Sequence, residues 1–78
     1  MADDVFLTVR NCITEVLLVP SEKVTPEADL FADLHATSLA RVEILMALEE
    51  AFDIRVPDSE VADIRTVEDI RRLVAGLS

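Results

Sequence analysis

Apolar residues recur at helical spacing near the start of the chain. Over residues 3–19 they lie three or four positions apart, as in an amphipathic helix. Its apolar positions are Val5, Phe6, Val9, Cys12, Ile13, Val16 and Leu17. Asp3 and Asp4 complement the N-terminus of this predicted helix, and Pro20 disfavours helical geometry at Val19. We therefore predict a first helix that buries one face, with Cys12 packed as a small hydrophobe.

Two more stretches predict helices, and each begins after a threonine. The predicted second helix covers residues 38–52, with Thr37 as its N-cap. The predicted last helix covers residues 67–75 and has Thr66 as its N-cap. Asp69 stands three residues later, in the position that completes a capping box.

A short helix is predicted over residues 58–63, directly after Pro57. Gly76 suits a C-terminal stop for the last helix. Because no segment shows sustained strand alternation, the predicted fold class is all-α. We expect a small four-helix bundle, with three main helices and one short helix, in a single domain over residues 1–78.

The connection over residues 20–37 is long for so small a domain, and such connections are usually functional or structured. Its segment Thr25-Pro26-Glu27 resembles the start of a one-turn helix, with Thr25 as cap and Pro26 at the first helical position. Three apolar residues are expected to anchor the connection on the core: Leu30, Phe31 and Leu34.

The predicted second helix has two apolar faces. One face is a core stripe of Ile44, Leu45, Leu48 and Phe52. On another side lies what we call the second stripe, which consists of Leu39, Val42 and Met46, flanked by Glu43, Glu49 and Glu50. A small bundle cannot bury both faces, so the second stripe is either an exposed docking surface or is covered by the long connection or the short helix.

Composition narrows the classes of partner. The 78 residues include 16 acids and 7 bases, for a net charge of −9, and 51% of the residues are apolar. The charge disfavours nucleic acid and anionic lipid, and it favours proteins with basic patches. One Gly excludes a phosphate-binding glycine loop, and one Cys excludes an internal disulfide or a cysteine zinc site. With no transmembrane run and no signal-peptide pattern, a cytoplasmic protein is expected.

Four segments together resemble the acyl carrier proteins. They read LFADLHATSL at residues 30–39, VEILMALEEAFDI at 42–54, VPD at 56–58 and IRTVEDI at 64–70. The family pattern Gly-x-Asp-Ser-Leu precedes the second helix, and its serine corresponds to Ser38. The resemblance implies that a phosphopantetheinyl transferase attaches 4′-phosphopantetheine to Ser38 through a phosphodiester. The thiol of that arm then carries acyl groups as thioesters, and the protein itself is not an enzyme.

The resemblance also implies two sets of binding residues. Partner enzymes with basic patches, of acyl-transferring, ketosynthase or ligase type, would dock on Thr37, Leu39, Val42, Glu43, Met46, Glu49 and Glu50. An acyl chain would enter a pocket lined by Phe31, Ile44, Leu48, Phe52, Val61 and Ile64. A monomer is expected. The pathway stays open between fatty-acid, polyketide and related biosynthesis, and two alternatives are an aminoacyl or peptidyl carrier and an adaptor without a prosthetic group.

Two residues of the family pattern differ in this chain. Thr37 replaces the Asp and His35 replaces the Gly. The start of the second helix is also less acidic than is usual in the family, with Ala40 and Arg41. These differences suggest a specialised carrier with its own transferase preference or set of partners.

Overall fold

The protein is described by a computed structural model that covers residues 2–77, without the side chains of Ala2, Asp3 and Asp58. The predicted role of Asp3 at the helix start therefore lies outside the described residues. In chain order the helices are α1 (Ala2–Leu17), α2 (Ser38–Phe52), α3 (Asp58–Val61) and α4 (Val67–Leu77). Between residues 2 and 77 there is no β-strand, and α1 packs against both α2 and α4. The predicted all-α bundle with three main helices and one short helix is confirmed.

The core is built from one face of each long helix. α1 contributes Val9, Cys12 and Ile13, α2 contributes Ile44, Leu45 and Leu48, and α4 contributes Val67, Ile70 and Val74. These positions repeat every three or four residues, as one side of a helix does. The predicted core stripe of α2 is confirmed, with Phe52 partly buried at its end.

α1 ends at Leu17, whereas the position of Pro20 predicts a helix up to Val19. Leu18 adopts a left-handed conformation with φ 57°, and its N–H donates to the Thr14 carbonyl at 2.8 Å. A left-handed residue closes the last turn of a helix, a position that glycine usually takes. Pro20 instead begins a single 3₁₀ turn, Ser21–Lys23.

The start of α4 confirms the predicted capping box. The Asp69 N–H donates to Thr66 Oγ1 at 3.1 Å, and Asp69 Oδ2 accepts the Thr66 N–H at 3.0 Å. The expected stop at Gly76 is wrong, because α4 continues through Gly76 to Leu77. Gly76 has no positive φ, so it does not form the left-handed turn that ends many helices.

The short helix α3 ends at Val61, before the predicted boundary, and continues as a turn through Asp63. The Ile64 N–H donates to the Val61 carbonyl at 3.2 Å and closes this turn. Ile64 is buried, so the chain returns to the core directly after α3.

The long connection is tied to the start of α4 by the main chain. Leu30 donates its N–H to the Arg65 carbonyl at 2.8 Å, and Val67 donates to the Ala28 carbonyl at 3.1 Å. The predicted one-turn helix at Thr25 is wrong: the segment forms a single turn, closed by the Ala28 N–H on the Thr25 carbonyl at 3.0 Å. The physical reason is that Ala28 and Leu30 bond to the α4 segment, which holds this part of the chain out of helical geometry.

Two of the three predicted anchors of the connection are buried. Leu30 and Leu34 are 0% and 3% exposed, whereas Phe31 is 37% exposed. The expectation that Phe31 plugs the core is wrong. Its N–H donates to Asp29 Oδ1 at 2.8 Å in a tight turn, and its ring lies beside Arg41 rather than inside the bundle.

Candidate functional site

Ser38 is the first residue of α2 and is exposed. Thr37 precedes it in an extended conformation, and Thr37 Oγ1 accepts the Ala40 N–H at 3.0 Å. The Thr37 carbonyl accepts the Arg41 N–H at 3.0 Å. Thr37 is therefore the predicted N-cap, and it fixes the backbone on which Ser38 stands.

The loop before Ser38 is held by carboxylates. Asp29 Oδ1 accepts the N–H groups of Phe31 and Ala32, both at 2.8 Å, and Asp33 Oδ2 accepts the Asp29 N–H at 2.8 Å. The pKa of Asp29 is lowered, chiefly by the hydrogen bonds from Ala32 and Phe31. Sequence reasoning missed this turn, although an Asp that bonds to N–H groups two and three residues later is a known turn signal.

His35 has a left-handed backbone with φ 59°. This conformation costs little for glycine and more for other residues, because a Cβ crowds the following carbonyl. The glycine of the family pattern thus has a physical reason at this position, and His35 fills it with some strain. Its side chain is exposed, three residues before Ser38.

The second stripe is exposed in the folded protein. Leu39, Val42 and Met46 are 69%, 47% and 58% exposed, so neither the long connection nor α3 covers them. Glu43 and Glu50 are exposed as well. The structure therefore gathers an apolar patch and two carboxylates on α2, in the turns that follow Ser38.

Glu49 differs from the two exposed glutamates. It is partly buried, and its Oε2 accepts the Val56 N–H at 2.8 Å. Glu49 therefore holds the segment between α2 and α3 in place. Sequence reasoning assigned Glu49 only to partner binding, since nothing local signals a bond to a residue beyond the helix end.

Arg41 lies one helical turn after Ser38. Its guanidinium carbon is 5.6 Å from the centre of the Phe31 ring, a distance typical of a cation–π contact. Its Nε is buried and has no hydrogen-bond acceptor among the described residues. The first turn of α2 also contains no acid. These features fit a phosphodiester on Ser38, because they supply an unused donor and add no negative charge beside it.

The residues of the predicted acyl pocket differ in their burial. Ile44, Leu48 and Ile64 are closed within the core, at 1%, 0% and 3% exposure, and Phe31 lies on the surface. A groove of about 380 Å³ exists beside them on the second stripe. It is lined by Val42, Leu45, Met46, Glu49, Val56 and Val61, so only Val61 belongs to both sets.

Cys12 is buried in the core at 8% exposure. Burial, and secondarily Glu15, raises the pKa of its thiol, which disfavours the reactive thiolate. Among the described side chains, which exclude those of Asp3 and Asp58, no three His, Cys, Asp or Glu are grouped so that they could hold a metal ion. Across residues 2–77, no helix is long and apolar enough to cross a membrane.

Known proteins are similar to this chain over most of its length. A family model described as the phosphopantetheine attachment site matches residues 8–74. An acyl carrier protein of Syntrophobacter fumaroxidans is 53% identical over 62 residues, which cover 80% of this chain and 76% of that protein. An acyl carrier protein of Trieres chinensis is 44% identical over 78 residues, which cover 100% of this chain and 98% of that protein.

A third relative, an acyl carrier protein of Helicobacter hepaticus, is 45% identical over 67 residues, covering 86% of this chain and 88% of its own. The helical bundle and these matches define a phosphopantetheine carrier. The chain belongs to the acyl carrier protein family, whose prosthetic group is 4′-phosphopantetheine. The predicted family and cofactor are thereby confirmed.

Proposed function

We propose that Ser38 is the attachment residue for 4′-phosphopantetheine and that a phosphopantetheinyl transferase modifies it. The observation that carries the proposal is the position of Ser38: it is exposed, it opens α2, and Thr37 caps the turn around it. The helix N-terminus presents N–H groups and partial positive charge to an anion on this serine. The chemistry of the prosthetic group supplies a thiol that holds an acyl chain as a thioester.

The protein then acts as a carrier for enzymes of fatty-acid, polyketide or related biosynthesis, and it catalyses no step itself. Its own residues fix the arm, present it and recognise the partner. Tethering raises the effective concentration of the acyl group at a docked enzyme. The buried Cys12 supports this division of roles, because the reactive thiol belongs to the prosthetic group.

Partner enzymes dock on α2 beside Ser38. The second stripe offers exposed Leu and Met side chains, and methionine adapts to different partners. Glu43 and Glu50 attract basic patches and speed encounter, so docking weakens as salt rises. Glu49 contributes its charge to the same face while it holds Val56.

For the acyl chain we propose the groove on the second stripe as the entrance. Val61 is shared by this groove and the pocket predicted from sequence, so the chain would pass from the surface toward Ile44 and Leu48. Because these two residues are closed in the core, deeper entry requires α2 and α3 to separate. Proteins that carry acyl chains of increasing length test this entrance. Val61→Ser should lower the stability of these acylated proteins more than the stability of the protein without an acyl chain. An equal loss in both forms would contradict the groove.

Intact mass spectrometry tests the attachment residue. The protein is incubated with a broad-specificity transferase and its phosphopantetheine donor. The wild type and Ser59→Ala, a control at an exposed serine in α3, should gain the phosphopantetheine mass, whereas Ser38→Ala should not. A wild type without the added mass would contradict the proposal and favour the adaptor without a prosthetic group.

Charge reversal tests the docking face. Glu43→Lys with Glu50→Lys should lower the kcat/KM of a partner enzyme at least tenfold, and the loss should shrink in high salt. Glu22→Lys is the control, because Glu22 is an exposed acid in the 3₁₀ turn. Glu49 is left unchanged, since its reversal would also break the bond to Val56. Equal loss in the Glu22 variant would show a general charge effect rather than a docking face.

Three further properties remain predictions. We propose that residues 1–78 act as one carrier domain, that the protein is a monomer, and that it works in the cytoplasm as an aqueous shuttle. The compact core shared by α1, α2 and α4 supports the first of these. Light scattering of the purified protein measures the second, and fractionation of native cells measures the third.

A further inference from the structure

Arg41 is a basic residue at the start of a helix that otherwise presents acids and apolar side chains. It stands three residues after Ser38, so the two side chains share one face of α2. We propose that Arg41 binds the phosphodiester of the prosthetic arm and fixes the direction in which the arm leaves the protein. This inference rests on the proposed attachment at Ser38, and it assigns Arg41 as a positioning residue.

The direction of the Arg41 side chain favours this contact. Side chains in a helix lean toward the N-terminus, so a long residue covers the turn before its own Cα. For Arg41 that turn begins at Ser38. The Phe31 ring, 5.6 Å from the guanidinium carbon, supports the side chain from the loop that leads into α2. The guanidinium is thus placed before any ligand arrives, which lowers the entropy lost on binding.

The hydrogen bonds of Arg41 are incomplete. Its buried Nε has no acceptor among the described residues, and it forms no ion pair there. Three other arginines do have acidic neighbours: Arg65 lies 4.0 Å from Asp29, and Arg71 and Arg72 bond to Glu68. Arg10 also has a buried Nε without an acceptor, but it lies in α1, whereas Arg41 stands one turn after Ser38. Arg41 is therefore the arginine whose unused hydrogen-bond donor lies on the same turn as the attachment residue.

A phosphodiester supplies the hydrogen-bond acceptor and the negative charge that Arg41 lacks. It carries one negative charge and unesterified oxygens that accept hydrogen bonds from a planar guanidinium. The Ser38 and Leu39 N–H groups have no acceptor within the described residues, because Thr37 takes only those of Ala40 and Arg41. The arm therefore meets backbone donors and the Arg41 side chain on the same turn.

Arginine Nε–H resonances in the protein with and without the prosthetic group test the proposal. The Nε–H signal of Arg41 should move downfield on modification, and its exchange with water should slow about tenfold. Arg10 is a matched internal control, because it also has a buried Nε without an acceptor and lies 5.8 Å from the Phe6 ring, in α1. Its signal should not change.

Phosphorus NMR of the modified protein gives a second measurement. In Arg41→Gln the phosphorus signal should move to the position of a phosphopantetheinylated serine peptide, Arg41→Lys should lie between, and Arg10→Gln should match the wild type. Helical circular dichroism checks that each variant is folded. A modified protein whose Arg41 and phosphorus signals both match unbound references would overturn this inference alone. A protein that gains no phosphopantetheine mass would overturn the proposed function as well.

Discussion

The starts of α2 and α4 use the same cap and differ in their charges. Thr37 and Thr66 each accept the N–H of the third residue that follows, at 3.0 Å and 3.1 Å. At α4 that residue is Asp69, which returns the bond to Thr66 and also accepts the Arg65 N–H. At α2 that residue is Ala40, whose side chain cannot accept a hydrogen bond from the Thr37 N–H.

The difference extends to the rest of the first turn. α4 carries Glu68 beside Asp69, and hydrogen bonds from Arg71, the main cause, lower the pKa of Glu68 to about 2. α2 has no acid in its first turn and has Arg41 just beyond it. One helix start is completed by its own carboxylates, and the other leaves its N–H donors open for the anion that we propose on Ser38. The same threonine cap thus occurs with neighbouring carboxylates at α4 and without them at α2.

The largest expected effect comes from removing the acid at α4. Asp69→Ala leaves the Thr66 and Arg65 N–H groups without their acceptor and should lower the free energy of unfolding by about 2 kcal/mol. Urea denaturation of the apo protein measures it. A loss below about 0.5 kcal/mol would show that α4 does not depend on its capping box.

At acidic pH the Asp69 carboxylate should no longer stabilise the fold. The pKa of Asp69 lies below its ordinary value of 3.8, mainly because the Thr66 N–H bonds to the carboxylate. A lowered folded pKa stabilises the protein above the ordinary value, and this contribution is lost as pH falls through the folded pKa. The difference between wild type and Asp69→Ala should be full at neutral pH and should shrink below pH 3.8. A constant difference would argue against the carboxylate as its source.

Removing the cap of α2 should cost less. Thr37→Val keeps the shape of the side chain and removes the acceptor for the Ala40 N–H, so stability should fall by about 1 kcal/mol. Thermal denaturation measures the loss, and Thr37→Ser should restore most of it. If serine does not rescue, the methyl group and not the hydroxyl is responsible.

The approach to α2 carries a left-handed residue that the approach to α4 lacks. His35→Gly removes the strain at φ 59° and adds freedom to the unfolded chain, for a net gain of about 0.5 kcal/mol. Ala36→Gly is the control, because Ala36 has no positive φ and should lose stability. A gain in both variants would point to general loop flexibility.

The smallest effect should come from giving α2 the acid it lacks. Ala40→Asp imitates Asp69 and should stabilise the apo protein by about 0.3 kcal/mol through the helix dipole and a bond to the Thr37 N–H. In the phosphopantetheinylated protein the gain should vanish, because the carboxylate then faces the phosphodiester. Melting temperatures of the two forms measure it. An equal gain in both forms would contradict the open start of α2.

Local patterns predicted much of this molecule. Both threonine caps, the box at Asp69 and the existence of the second stripe follow from neighbours three or four residues apart, which a sequence displays directly. Whether the second stripe is exposed or covered was left open by the sequence, and only the folded chain shows it exposed. The family resemblance supplied Ser38, which periodicity alone does not distinguish from any other polar residue in a first turn.

What sequence could not predict depends on distant contacts. Glu49 reaches Val56 beyond its helix, and Phe31 turns outward because Asp29 holds its N–H and Arg41 packs on its ring. The turn at Thr25 replaces a helix because Ala28 bonds to Val67. In each case a local preference is overruled by a partner that only the folded chain brings near.

The bonds between the long connection and the start of α4 also have a consequence for folding. Ala28 and Leu30 meet Val67 and Arg65 across about half of the chain, whereas each helix forms from near neighbours. Closing so long a loop is slow compared with forming a helix. During protein synthesis, Ala28 and Leu30 leave the ribosome well before Arg65 and Val67. We therefore expect the loop that leads to Ser38 to reach its final geometry late in folding, once Arg65 and Val67 are in place.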